Sequence, residues 1–344
     1  MSNHILFRLP EDKVVHELFC GEQVTQLGAY TEIGNVPGYV FSPFSPSSQS
    51  PILLFRPEEE KAWILPKRFS ARHIDYTDTA EQERTAYQRA FAKCMKQLED
   101  NRVRKIVLSR RLTLHLDSII DEEDRKNLFI AACNNYPHAF IALIETKKWG
   151  IWLIATPELL LEEKNGSLHT MALAATMSVE EGGHLLPEAW SQKNQAEQAM
   201  VADYIEEKLT QLHLPHSRSA VYLKQAAHLV HLCTDFTTPL PSSNLLGNII
   251  EALHPTPAVC GLPTDQASCL LSKIEDHDRK YYAGFSGPVL SDAGTHLFVT
   301  LRCMSLHENT GTLYAGGGLL RSSDIETEWV ETHRKMKTML HLLQ

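Results

Sequence analysis

No two cysteines in this chain stand in CxxC spacing, no tract repeats or is of low complexity, and no apolar run reaches the length that crosses a membrane. Each absence excludes something. The seven cysteines (Cys20, Cys94, Cys133, Cys233, Cys260, Cys269, Cys303) are scattered and odd in number, which argues against a disulfide framework or a zinc site. They read as buried thiols in a reducing cytoplasm. Near the N-terminus the apolar run 5–9 is interrupted by Arg8, so no signal peptide and no membrane partner are expected. Basic residues are also scarce: 33 Lys and Arg against 42 Asp and Glu give a net charge of -9, which argues against nucleic acid as the main partner. A small anion bound by local basic residues remains compatible with that balance. What is present is material for a core, 344 residues of which 43% are apolar, and no convincing linker divides it.

Residues 1–75 read as short strands, with 51–55 and 62–65 flanking a turn-like 57–61. Thr79 with Gln82 opens a helix whose stripe is Tyr87, Phe91, Cys94, Met95 and Leu98. The clearest strand is 103–116. Ile106, Leu108, Leu112, Leu114 and Leu116 alternate onto one face, and Lys105, Val107, Ser109, Arg111 and Thr113 onto another that is able to line a cleft. Two hairpins follow, 140–144 with 152–155 and 159–161 with 168–173, the second across Asn165-Gly166. Between them Thr156-Pro157-Glu158 breaks the ladder and leaves an acid between apolar runs, either desolvated or an exposed turn residue. A long helix after Pro187 carries Glu197 on its apolar stripe, where it must be paired, with Lys193 for example, protonated or metal-bound. A short helix at 245–253 stops at His254-Pro255-Thr256-Pro257, and a strand at 297–303 carries Arg302.

The C-terminal stretch 313–340 organises the rest. A strand enters Gly316-Gly317-Gly318, and a helix follows, with Ser323 and Glu326 in capping-box spacing and an apolar stripe of Ile325, Trp329, Thr332, Met336, Met339 and Leu343. Glu328, Glu331 and Lys335 lie along the edge of that stripe. Such a seam is either a solvated set of ion pairs or a site for a hard divalent cation. Strands and helices in this order predict an α+β chain, a single domain with large antiparallel sheets.

Read together, Lys105-Ile106-Val107-Leu108-Ser109-Arg110, Thr156-Pro157-Glu158-Leu159-Leu160, Leu253-His254-Pro255-Thr256-Pro257-Ala258, Val299-Thr300-Leu301-Arg302-Cys303, Tyr314-Ala315-Gly316-Gly317-Gly318 and Glu328-Trp329-Val330-Glu331-Thr332 with Lys335 resemble the chorismate-binding enzymes, and among them most the isochorismate synthase branch. The resemblance spans residues 80–340, with 1–75 as variable N-terminal strands of one chorismate-binding domain, 1–344. It implies two stacked antiparallel sheets wrapped by helices around a deep cleft for chorismate and Mg²⁺. Glu197 and Glu331 would be metal carboxylates and Glu328 would hold metal-bound water. Lys105 would be the general base that activates water for attack at C2, and Glu158 the general acid for the departing 4-hydroxyl. Thr176, His254, Tyr282, Arg302, Lys335 and the backbone at Gly316 and Gly318 would hold the substrate.

Three positions separate the family's branches. Lys105 is not the glutamine of anthranilate synthases, Ala174 not the lysine of aminodeoxychorismate synthases, and Ala258 not the threonine of salicylate synthases. The expectation is therefore a cytoplasmic, monomeric, Mg²⁺-dependent isomerase converting chorismate to isochorismate for menaquinone or siderophore synthesis. A salicylate synthase and a non-catalytic chorismate-binding protein are the alternatives. The chain also departs from the family where Ala-Gly-Thr reads Ala174-Ala175-Thr176, and where Asn194 stands in place of a frequent acid.

Overall fold

The computed structural model describes residues 3–67, 72–226, 229–240, 242 and 245–344. The N-terminal part lays down β1 (Asn3–Arg8), β2 (Val14–Cys20), β3 (Thr25–Leu27), β4 (Gly38–Ser42), β5 (Ile52–Phe55), β6 (Pro57–Ile64) and β7 (Tyr76–Asp78). Next come α1 (Ala80–Glu99), β8 (Lys105–Leu116), α2 (Glu122–Asn135), and the two hairpins β9 (Phe140–Thr146) with β10 (Gly150–Thr156) and β11 (Leu159–Lys164) with β12 (Ser167–Ser178). A single turn, α3 (Val179–Gly182), leads to the long α4 (Gln192–Gln211), then β13 (Ser217–Arg218), β14 (Tyr222–Ala226) and β15 (Leu229–Pro239). The last part holds α5 (Leu246–Leu253), β16 (Gly261–Leu262), α6 (Thr264–Ile274), β17 (Phe285–Val289), β18 (Thr295–Val299), β19 (Cys303–His307), β20 (Thr310–Leu319) and α7 (Ile325–Leu340).

The strands form two ten-stranded antiparallel sheets, as expected of the α+β reading. One runs β16-β8-β20-β19-β10-β9-β1-β2-β6 with β7 beside β8, and the other β13-β15-β12-β11-β18-β17-β4-β5-β3 with β14 beside β15. Alternation along β9 sends Phe140, Ala142 and Ile144 into the core between the sheets, and Ile141 and Leu143 into a second core that includes residues of α2 and α7. Both faces of the first sheet are thus buried. Phe140 stacks on Phe298 of β18 at 4.4 Å between ring centroids, joining the two layers.

Two sheet-to-sheet crossings fix the geometry of the site. β10 belongs to the first sheet and β11 to the second, so Pro157-Glu158 carries the chain across, where proline cannot donate to a continuing ladder. The chain returns through Thr300-Leu301-Arg302, between β18 and β19. The expected single strand over 297–303 is therefore two strands in different sheets. The crossings are stitched together: Val299 N–H donates to Glu158 O and Ala155 N–H to Arg302 O, both at 2.9 Å.

Three other expectations change. Residues 57–61 are not a turn but part of β6, an edge strand paired with β2, whose exposed Glu58, Glu59 and Glu60 suit an edge that must not recruit another strand. The strand expected to end at the glycine run continues through it, with Gly316, Gly317 and Gly318 extended within β20 opposite Ser109, Leu108 and Val107. Asp324 rather than Ser323 caps α7, accepting from Thr327 N–H, and the Ser323 hydroxyl turns instead to Glu328.

Phe140→Ala removes the ring that spans the sheets and should lower unfolding free energy in urea by about 3–5 kcal/mol without changing the dependence on urea concentration.

Candidate active site

A hollow beside the two crossings collects most of the predicted site residues. Glu158 and Arg302 come from the crossings, Thr176 from β12, Glu197 from α4, and Tyr282 from the segment before β17. Gly316 and Gly318 of β20 and Glu331 and Lys335 of α7 complete the wall. The hollow opens only about 50 Å³. Larger ones, of about 460 and 530 Å³, lie elsewhere and hold none of these residues.

The space is small because it is filled with ion pairs. Lys105, fully buried on β8, places Nζ 2.9 Å from Glu197 Oε1. Lys335 Nζ lies 2.6 Å from Glu331 Oε1 and donates to Gly316 O at 2.9 Å. Lys193 donates to Glu328 Oε1 at 2.8 Å. β20 passes between these groups without side chains. A Cβ at position 317 would sit 2.7 Å from Glu328 Oε2, and one at 318 would overlap Glu197 Oε1. The glycines are there for close approach by carboxylates.

Burial and neighbouring charge divide these acids. Burial raises the Glu158 carboxyl from 4.5 to about 7, despite Arg302, Lys105 and Lys335 pulling the other way. Burial also pushes Glu328 up, and the charge of Glu331 adds to it. Glu331 is pushed up by burial too, but Lys335 more than offsets that, and the net shift is downward. The Arg302 guanidinium makes no hydrogen bond or ion pair with any described residue, and burial pulls it below its ordinary value. The hollow thus offers an acid kept protonated to near neutrality, a guanidinium unpaired among the described residues for an anion, and two carboxylates, Glu197 and Glu331, each paired with a lysine.

The chorismate binding enzyme family model matches residues 58–344. The chain is 30% identical over 305 residues to the isochorismate synthase DhbC of Bacillus subtilis, covering 83% of this chain and 76% of that protein. Against the isochorismate synthase EntC of Escherichia coli K12 it is 28% identical over 330 residues, covering 90% and 80%. The chain belongs to the chorismate-binding enzymes. Its fold matches the menaquinone-specific isochorismate synthase MenF of Escherichia coli with a TM-score of 0.83 at 21% identity, over 100% of this chain and 89% of that one. Anthranilate synthase component I of Streptococcus pneumoniae gives 0.72 at 16% identity, over 98% and 92%.

Three predicted residues of this chorismate-binding enzyme are not on the wall of the hollow, and one of them, Lys105, stands directly behind Gly318. His254 caps α5 and packs edge-on against Tyr30 and Phe285, so it serves the core as the residue that ends its helix. Glu328 stands behind Gly317 rather than on the wall. Lys193 is not the partner of Glu197, which is taken by Lys105.

One wall residue escaped the sequence reading. His231, on β15, brings Nδ1 within 3.0 Å of Ala175 O. A carbonyl only accepts, so Nδ1 carries the proton and the buried, partnerless Nε2 presents a lone pair. Burial holds this imidazole neutral, lowering it to about 3. Ala175 itself adopts φ 60° at a bulge in β12, so the alanine occupies the left-handed conformation that a glycine would adopt freely.

The acid set fits a hard divalent cation of the magnesium kind. Glu197 and Glu331 reach the hollow from two helices, and Glu328 Oε2 is buried without a partner. Among the described residues no three His, Cys, Asp or Glu side chains form a closed cage. Magnesium suits two carboxylates and retained waters better than such a cage.

Because Glu158 titrates near 7 in the fold and near 4.5 outside it, the folded state binds the extra proton, and stability falls as pH rises between those values. Glu158→Gln should match the wild type below pH 4.5 and exceed it by up to about 3 kcal/mol at pH 8, measured by urea unfolding at both ends.

Proposed function

We propose that this chorismate-binding enzyme is an isochorismate synthase, using Mg²⁺ to convert chorismate to isochorismate by adding water at C2 and releasing the 4-hydroxyl. The observation that carries the reading is the buried Glu158, its carboxyl raised to about 7, in one hollow with the Arg302 guanidinium and the carboxylates Glu197 and Glu331. The two relatives compared by sequence, DhbC and EntC, are isochorismate synthases, and Lys105 stands where ammonia-using relatives are expected to carry glutamine.

Each residue then has a task. Arg302 takes a substrate carboxylate, since a guanidinium matches its two oxygens. Tyr282 and Thr176 shape the pocket around the ring, and His231 Nε2 accepts from a hydroxyl. Lys105, as the neutral amine, takes a proton from the attacking water, for which its ion pair with Glu197 must part and its own proton must leave. Glu158 gives a proton to the departing hydroxyl, and water in balances water out. Glu197 and Glu331 would hold Mg²⁺, with Glu328 reaching it through water. When bound, the metal would neutralise a ring carboxylate and draw electron density from the ring. The chain is read as a cytoplasmic monomer; no described helix is long and apolar enough to cross a membrane.

Incubation with chorismate and Mg²⁺ should yield isochorismate and no pyruvate. Salicylate and pyruvate in equal amounts would instead make it a salicylate synthase, and binding without turnover a chorismate-binding protein. Lys105→Ala and Glu158→Gln should each lower kcat by about 10²- to 10⁴-fold with folding intact. Turnover should decline as pH rises past about 7, where Glu158 loses its proton.

A further inference from the structure

The three lysine–carboxylate pairs of the acid cluster are not alike. Glu197 and Glu331 are wall residues, Lys335 lines the hollow and Lys105 stands behind Gly318, so both pairs must rearrange when ligands enter. Glu328 is different. It is 1% exposed, and its Oε1 accepts from Lys193 Nζ at 2.8 Å and from Ser323 Oγ at 2.7 Å. With Oε1 held twice, Oε2 is left buried, without a partner and against Gly317.

The pair also joins two parts of the fold. Lys193 lies on α4 one turn before Glu197, and Glu328 on α7 one turn before Glu331. α4 packs on β12 and β15 of one sheet, α7 on β20 of the other. The acids that meet at the hollow are therefore carried by helices anchored in different layers, and Lys193–Glu328 ties those helices directly. The Arg334–Glu181 contact, 3.7 Å between exposed side chains, joins α7 to α3 rather than to α4 and cannot replace it.

We propose that Lys193 is a positioning residue for the divalent-cation site: it sets the approach of α4 to α7 and aims the free oxygen of Glu328, so that Glu197 and Glu331 are in place before the metal arrives. It touches neither metal nor substrate. The proposal rests on the reading of these acids as the metal's carboxylates. Removing the lysine leaves a buried carboxylate uncompensated and free to turn, and losing a partner that orients a ligand group usually weakens metal binding about 10- to 100-fold.

The test is calorimetric titration of Mg²⁺ into the full chain without chorismate, comparing wild type, Lys193→Met, Lys193→Arg, Glu328→Gln and the double variant Lys193→Met/Glu328→Gln. Lys193→Met should raise the Mg²⁺ Kd by about 10- to 100-fold. Lys193→Arg should restore most of that affinity, and kcat at saturating Mg²⁺ should fall by less than Kd rises. Wild-type affinity in Lys193→Met, or a loss of kcat with Kd unchanged, would overturn the proposal. If Lys193→Met does not fold, the double variant decides, since it leaves no lone buried charge: affinity equal to Glu328→Gln alone supports the proposal, and a further loss sinks it. A wild type that binds no Mg²⁺ would remove the metal reading and this proposal together, whereas a wild type that binds with Lys193→Met unchanged removes only the proposal.

Discussion

A carboxylate taken out of water costs several kcal/mol unless something compensates it, and this fold brings four of them to one place. Three are answered by lysines: Glu197 by Lys105, Glu331 by Lys335 and Glu328 by Lys193. The fourth, Glu158, is answered by keeping its proton to about pH 7. These two solutions are chemically distinct and they sort the acids by use. An ionised carboxylate already paired with an amine exchanges one cation for another. A neutral one has a proton to give.

Room for the cluster comes from what β20 omits. Gly317 and Gly318 remain in ordinary extended pairing with β8, so their role is not turn formation but the removal of two side chains where Glu328 and Glu197 press on the backbone. The two crossings add the second half of the arrangement. Because β10 to β11 and β18 to β19 each change sheets at the same level, Glu158 and Arg302 emerge side by side from hydrogen-bonded backbone rather than from mobile loops.

Local pattern made much of this legible. Alternation on β8, the Asn165-Gly166 hairpin and the stripes of α1, α4 and α7 are all properties of a few consecutive residues, and each is present in the fold. What the sequence withheld was long-range choice. The pairing of Lys193 depends on α7, 135 residues away, while periodicity offered only its helical neighbour Glu197. The apolar run through Leu297 and Cys303 gives no sign of changing sheets at Thr300. β6 looks like a turn because a protective edge strand and a loop are both rich in charge. His231 sits in an apolar strand and acquires meaning only through the bulge at Ala175 on the neighbouring one.

The distribution of unmet demands points the same way as the geometry. Away from the hollow, the buried Arg279 is fully engaged, with Glu275 and with the carbonyls of Val107 and Val259, and the buried Arg110, whose Nε donates to Thr332, lays its guanidinium over the Trp329 ring at 3.8 Å. At the hollow three demands of the chain go unmet. The Arg302 guanidinium has no partner among the described residues, Ala175 is held at φ 60°, and Glu158 is buried at an expense to stability that grows through pH 4.5 to 7. A chain selected for stability alone would pair the arginine, place glycine at 175 and replace the acid with an amide. Three such costs around one small cavity are what a fold shows when the missing partners belong to a ligand rather than to the protein.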